Sequence, residues 1–520
     1  AVAFNVGSAA ADGRKVGVFE VTITNLTSGQ PFTPPVLATH KKSTGIFEVG
    51  EAASLGVQEV AENGNPAPLL ASLAANRRVF DSTAGSAPLV PMGNPGEVPF
   101  SSSGSYVVVG PRGARLSVIS MLICTNDGFT GVDGLKLPKK VGDTVTAYAQ
   151  GYDAGTEINT EDFADMVPPC PPLTGVTSTD AGTGMTDPAL AEGGVIHHHP
   201  GVDGVGVGMM SDLTFPFHNW ANPVAKIEVT RHANIRIPST DVEIEAEFEF
   251  DLTGAQEVPA VATDASGEAE VELEIEDGDV ELEVELEVCD IEGVVAAHIH
   301  GPAGPGVNAG VMLGLFGGGP FSADDDCEEL VDREWDEDDL EAELTVPLSD
   351  FVAALVSGNA YINVHTLTNL PGEIRGQAEL DEIEIEVEFP LAGHQEVPRV
   401  LTGAWGEGEV EFEWEDGDFE FEFELEVCDI EDVTQAHIHI APAGSNGPVV
   451  LFLFGPAFGS PFSADGCEEL SEGEFSQAEL EAALIGISLE DFLAALATGN
   501  AYVNVHTVAN PAGEIRGQIG

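Results

Sequence analysis

Lysine is nearly missing from this chain of 520 residues. It occurs at positions 15, 41, 42, 136, 139, 140 and 226, and nowhere after. Residues 241–520 hold four arginines against 67 of the chain's 89 acidic residues, and the formal net charge is −71. A surface of that sign repels a phosphate backbone, which excludes nucleic acid as a partner. Long apolar runs are missing too. Val449–Phe454 is at most a short buried strand, so no transmembrane segment is expected. There are six cysteines and no CxxC pair, which argues against zinc held on thiolates. Long helical periodicities are scarce, whereas 60 glycines and 33 prolines favour a turn-rich, all-β chain. Neither a nucleophile motif, a phosphate loop nor a pair of catalytic carboxylates occurs, so a non-enzymatic protein is expected.

What is present is a tandem duplication. Ala297-His298-Ile299-His300 returns as Ala436-His437-Ile438-His439. Asn363-Val364-His365-Thr366 with Gly372-Glu373-Ile374-Arg375-Gly376-Gln377 returns as Asn504-Val505-His506-Thr507 with Gly513-Glu514-Ile515-Arg516-Gly517-Gln518. The opening Gly254-Ala255-Gln256-Glu257-Val258-Pro259 matches Gly393-His394-Gln395-Glu396-Val397-Pro398. The chain divides accordingly into residues 1–240, 241–381 and 382–520, within the two to four domains its length suggests. The cysteines fall as one local pair per domain, Cys124/Cys170, Cys289/Cys327 and Cys428/Cys467, which reads as disulfides formed in an oxidising space. The chain begins at Ala1 rather than Met, on the alternating run Val2–Val6, and reads as a product whose signal peptide has been removed.

Each copy carries a hairpin whose register can be derived. Val271, Leu273 and Ile275 alternate with glutamates up to Asp277-Gly278, and Val280, Leu282 and Val284 alternate after it. Asp-Gly favours a two-residue turn. The pairing then sets Ile275 against Val280, Leu273 against Leu282 and Val271 against Val284, all on one face. The outer face sets Glu274 against Glu281, Glu272 against Glu283 and Glu270 against Glu285. Around Asp416-Gly417, Trp414 faces Phe419 and Phe412 faces Phe421, with Glu413 against Glu420 and Glu411 against Glu422. Like charges in direct opposition destabilise a sheet. At molar salt the screening length falls to about 3 Å and the repulsion fades. A halophilic habitat is expected. One short helix per copy is expected, over 349–356 and 490–496, with acidic starts and glycine ends.

Residues i and i+2 of a strand face the same way. His298 and His300 therefore project together, and His365 supplies a third neutral nitrogen, as do His437, His439 and His506. Three imidazoles suit copper or zinc with an open position. The alternative is that these rings cap buried carbonyls or bond Glu373 and Glu514. Glu373 and Arg375 share a face and are expected to form an ion pair. His197 and His199 share a face in an extended segment, and His40 or His218 is placed to join them on a metal. Asn25-Leu26-Thr27 is a glycosylation sequon, compatible with a surface Asn25.

The closing runs, the Ala-His-Ile-His element and the Gly-x-Gln-Glu-Val-Pro opening together resemble the CHRD domain, over nearly all of residues 243–520. That resemblance implies an extracellular β-sandwich of poorly defined activity. Residues 1–240 resemble a spondin N-terminal domain of the microbial type. Phe4-Asn5-Val6, Glu20–Thr27, Phe47–Ala53, Asn126–Asp133 and Tyr152–Glu157 carry this likeness. It implies a sandwich used in matrix and surface attachment, with calcium among acidic loops. The matching positions are Asp127, Asp133, Asp153 and Glu157.

The combined expectation is three consecutive β-sandwich domains in a secreted, metal-stabilised structural protein. Self-association into a filament through exchange of terminal strands is the sharper form, since strand-like segments run to both ends, Val2–Val6 and Glu514–Ile519. A monomeric adhesin for glycans or surface proteins is one alternative. A redox enzyme is another, because His-x-His on a sandwich strand is similar to copper–zinc superoxide dismutase; a fourth copper histidine and a zinc-site aspartate are missing.

Overall fold

The computed structural model describes residues 14–93, 95–178, 180, 182–204, 211–213, 217–276, 278–324, 327–415, 417–455 and 461–520. They form two compact units, each an all-β body with short helices. The Val2–Val6 segment lies outside the described residues.

The first unit, residues 14–236 with 398–403, is built on a nine-stranded sheet. Its order runs Val79–Ala84, Val36–His40, Arg115–Met121, Gly128–Lys136, Thr144–Asp153, Ala225–Ile237, Arg14–Asn25, Ser103–Pro111, and His197–His198 pairs with Thr144–Asp153. Its core gathers Phe19, Val21, Phe32, Leu37, Leu116 and Ile227, all buried. Two helices not anticipated from sequence, Leu55–Asn63 and Ala67–Ala74, pack Val57, Val60, Leu69 and Leu73 on the sheet. Ser54 caps the first by accepting from the Val57 amide, and Gly64 ends it at φ 64°, where a side chain would be strained. The Cys124–Cys170 disulfide is formed.

The second unit, residues 237–397 with 404–520, holds both copies of the repeat. The expected hairpin registers are observed in full. Val271 pairs with Val284, Leu273 with Leu282 and Ile275 with Val280, while Phe412 pairs with Phe421 and Trp414 with Phe419. The acidic partners are as derived, from Glu270 against Glu285 to Glu413 against Glu420. Burying alternate apolar residues leaves the register no freedom, because a slip of one residue would turn every glutamate inward. Phe248, Phe250, Leu282, Val284, Trp335, Phe351, Phe389 and Phe421 are fully buried in one continuous core.

The two copies are not merely consecutive. Strand Asp241–Thr253 of the first pairs directly with Glu379–Ala392 of the second, which makes one sheet of fifteen strands. The seam repeats the pattern of the hairpins. Val242 meets Val387 and Ile244 meets Ile385 on one face, while Asp241/Glu388, Glu243/Glu386, Glu245/Glu384, Glu247/Glu382 and Glu249/Glu379 oppose on the other. Each copy has its own disulfide, Cys289–Cys327 and Cys428–Cys467.

Each copy holds two helices rather than one. The expected pair appears as Leu348–Val356 and Leu489–Ala497. The additional ones, Glu337–Glu343 and Gln477–Ala483, start at the caps Asp336 and Ser476 and bury Leu340 and Leu480. They are too short to show apolar periodicity. The C-terminal strand Ile515–Ile519 pairs with Ala501–Thr507, and Arg516 also pairs with Ala392 on its other side. It is an interior strand, which corrects the expectation that the chain end offers a free edge. None of the described helices is long and apolar enough to cross a membrane.

Candidate metal centres

Sheet register brings the three histidines of each copy together. In strand Ile291–His300, His298 and His300 share a face, and Ala297 and Ile299 on the other face are fully buried. The antiparallel neighbour Tyr361–Thr366 sets Ala296 opposite His365, His298 opposite Asn363 and His300 opposite Tyr361. Directly opposed residues lie on the same side, so His365 meets His298 across the strands. Ring centroids lie 5.0 Å apart for His298–His365, 5.6 Å for His298–His300 and 5.9 Å for His300–His365. The second copy gives 5.0, 5.8 and 6.3 Å for His437–His506, His437–His439 and His439–His506. In each triad one ligand atom per ring can be chosen so that all three lie within 4.8 Å of one another.

Hydrogen bonds fix which atom two of the three rings present in each triad. His300 Nδ1 faces the Ala309 carbonyl at 3.1 Å and His365 Nδ1 faces the Leu370 carbonyl at 3.0 Å. His439 Nδ1 and His506 Nδ1 meet the carbonyls of Gly447 and Pro511 at 2.9 and 3.1 Å. A carbonyl only accepts, so Nδ1 carries the proton and Nε2 of a neutral ring keeps its lone pair. Those four Nε2 atoms are buried with no partner, as are His298 Nδ1 and both ring nitrogens of His437. Buried polar atoms are ordinarily satisfied, and a bound ion or water is a usual reason for an exception. Carbonyl capping and metal ligation are thus not rivals here. The carbonyl holds one nitrogen and thereby presents the other, as partners of metal-bound histidines do.

The electrostatics agree. Burial, and then the neighbouring imidazoles, push His298 and His437 down to about 4. Burial lowers His300, His365, His439 and His506 as well. All six are neutral at pH 7, the form that ligates a metal.

A support that the sequence did not disclose lies beside each triad. The His300 ring stacks on Tyr361 at 5.0 Å, and the Arg375 guanidinium lies 3.5 Å from the Tyr361 ring centre on the cation–π axis. His439, Tyr502 and Arg516 repeat this at 4.8 and 3.4 Å. Both arginines are buried. Arg375 bonds Asn308 and Gln377, while Glu373 accepts from Thr366 and Thr263. The expected Glu373–Arg375 ion pair is therefore not formed: the aromatic face takes the guanidinium and two hydroxyls take the carboxylate. The repeated Ala-Tyr-x-Asn-Val-His-Thr run is the signal that marks Tyr361 and Tyr502.

In the first unit, Asp127, Asp153 and Glu157 are buried and Asp133 stands apart. Asp127 Oδ2 accepts from the Thr156 and Glu157 amides and the Thr156 hydroxyl, and its Oδ1 is buried with no partner. Burial and the Asp153 charge push Asp127 up to about 6. Burial, reinforced by Glu62, Asp127 and Asp187, pushes Glu157 up to about 7. A hard cation would relieve that desolvated charge. Gly128 pairs with Asp153, so Asp133, five residues further along the same strand, sits about 16 Å away at the usual rise per residue. It accepts instead from Ser117 and the Ile46 amide.

The other candidates separate. His40 is buried with both nitrogens engaged, by the Lys41 carbonyl and by Ser117 Oγ. His199 is buried between Asn159 and the Gly201 amide. His197 is exposed, bonds the Val195 carbonyl and lies 3.8 Å from Asp153. His218 is buried beside Phe163 and Phe217. Strand pairing sets His197 opposite Asp153, and His199 feels the charges of both, whereas His40 is taken up by Lys41 and Ser117 and His218 packs against Phe163 and Phe217. Asn25 is 2 % exposed; its amide nitrogen donates to the Gln30 and Leu89 carbonyls. The sequon asparagine is thus held in an Asx motif within the fold, not at the surface position expected of it.

The CHRD domain family matches residues 248–378 and 387–519, just over half of the chain. The chain belongs to this family. The Spondin_N family matches residues 26–171. The sequence is 32 % identical over 173 residues to chordin of Danio rerio, covering 32 % of this chain and 17 % of chordin. The chain thus spans about a sixth of the length of that relative. Both domain types are typical of extracellular proteins.

Proposed function

We propose that this protein is a structural component of a cell surface or extracellular matrix, in which each CHRD copy is held by one copper or zinc ion on its three histidines. The observation that carries the reading is the set of buried, unpartnered imidazole nitrogens repeated in both copies, with two of the three rings in each held in one tautomer by a carbonyl. The donor set is three neutral nitrogens without a thiolate, which suits zinc or copper over hard cations. The histidines of each triad come from two adjacent strands, Ile291–His300 with Tyr361–Thr366 and Asp418–Ile440 with Ala501–Thr507, so a metal on either triad ties its two strands together. Calcium on Asp127, Asp153 and Glu157 is the corresponding reading for the Spondin_N unit.

A brine habitat belongs to the same proposal, since acid faces acid along the seam and the hairpins on either side of it. The test is elemental analysis of full-length protein purified in high salt. Two equivalents of copper or zinc per chain are expected, falling to one in His298→Ala and in His437→Ala. A wild-type chain that takes up neither metal stoichiometrically overturns the reading.

A further inference from the structure

The two histidine triads have the same ligands and different lids. Strand Val311–Ala323 flanks the first and sets Gly314 opposite His298. Strand Val449–Phe454 flanks the second and sets Phe452 opposite His437. Gly314 is exposed, and a side chain added there would meet nothing within 4 Å. In the second copy the Phe452 ring stands edge-on to His437 with centroids 4.4 Å apart. The consequence is visible in burial. His298 and His365 are only half-buried, whereas His437, His439 and His506 are all buried, His437 to 3 % exposure. Around this position the two strands otherwise match, as Leu313-Gly314-Leu315-Phe316-Gly317 and Leu451-Phe452-Leu453-Phe454-Gly455.

Building on the metal reading above, we propose that the two centres have divided roles. The first is an open site whose metal takes a small exogenous donor such as water, hydroxide or azide. The second is a closed site whose metal is shielded by Phe452 and serves only to hold the fold. Three protein ligands with an accessible fourth position mark a reactive centre, and a site sealed from solvent marks a structural one. An apolar ring beside the ligands controls solvent access to the metal, as the surroundings of metal sites generally do.

The test uses the full chain in sodium sulfate, so that chloride does not compete. The pair His437→Ala/His506→Ala leaves the first site, and His298→Ala/His365→Ala leaves the second. Each is stripped with chelator and loaded with one equivalent of Cu(II), and bound copper is counted first. Azide is then titrated while its charge-transfer absorption and the copper EPR spectrum are followed. The first site is expected to bind azide, and to lose copper to EDTA faster than the second by about tenfold or more. Gly314→Phe should close the first site, and Phe452→Gly should open the second. Both positions face solvent, so neither exchange disturbs the core. Equal azide binding and equal copper loss at the two sites, or exchanges that leave each site as it was, would overturn the division of roles. Failure of both single-site proteins to bind copper at all would overturn it, and the metal reading falls with it if the wild-type chain takes up neither copper nor zinc; this outcome is read before azide is added.

Discussion

Transfer of this protein from molar salt to dilute buffer should weaken the sheet first along the seam between the two CHRD copies. Five of its nine cross-strand pairs set acid against acid, from Asp241/Glu388 to Glu249/Glu379. A directly opposed like-charge pair costs about 0.2–1 kcal/mol, so the seam carries about 1–5 kcal/mol of repulsion when unscreened. Neighbouring strands lie about 4.8 Å apart. The screening length is about 3 Å at 1 M salt and about 30 Å at 0.01 M, so repulsion fades within one strand spacing in brine and reaches across the whole face in dilute buffer. The apolar side offers less resistance here than inside either hairpin, because Ile383, Ile385 and Leu380 are only partly buried. Neither disulfide of the two copies crosses the seam. Urea, being uncharged, can report stability across a sodium chloride series, with circular dichroism as the signal. The midpoint should rise with salt and level off near molar concentration. Glu384 faces Glu245 on one side and Glu413 on the other, so Glu384→Lys turns two repulsions into attractions. It should raise the low-salt midpoint and flatten the salt dependence. A midpoint that is independent of salt, or a Glu384→Lys protein indistinguishable from wild type in dilute buffer, would refute the reasoning.

Other outcomes follow from the same geometry. Burial, then the charges of Glu409 and Glu243, push Glu386 up to about 7, and burial pushes Glu396 to about 7. The folded state therefore binds more protons than the unfolded chain between pH 4.5 and 7, so their contribution to stability falls as pH rises through that window. In metal-free protein the lowered histidines act in the opposite sense: His298 and His437 cost stability as pH falls from 6.5 towards 4, which a pH series of urea melts would resolve. Removal of the proposed copper or zinc should lower stability by about 2.7 kcal/mol per site when free metal had stood at a hundred times its dissociation constant. Calorimetry before and after chelation measures this, and an unchanged melting temperature would count against metal in either copy. Tyr361→Leu removes the ring that holds His300 and should weaken metal binding at the first site by about 10–100-fold, read by competition with a chromophoric chelator. Asn25→Ala leaves the Gln30 and Leu89 carbonyls without their amide partner and should destabilise the Spondin_N unit by about 1–3 kcal/mol, with no change in glycan content by mass spectrometry.

The sequence by itself determined the duplication, the all-β class, the local cysteine pairs and the register of both hairpins. It could do so because alternation has a period of two and a buried face tolerates no slip, so Val271 against Val284 and Glu272 against Glu283 follow from one another. It also grouped the six histidines, since an i, i+2 pair on a strand shares a face whatever lies around it. The pairing of Asp241–Thr253 with Glu379–Ala392 was decided only by the tertiary structure, because an alternating strand does not name its neighbour. The same holds for the separation of Asp133 from Asp127, the burial of Asn25 and the double engagement of His40. Each depends on which distant backbone arrives beside a side chain. The contrast between Gly314 and Phe452 acquired meaning in the same way, once strand register had placed each opposite a histidine.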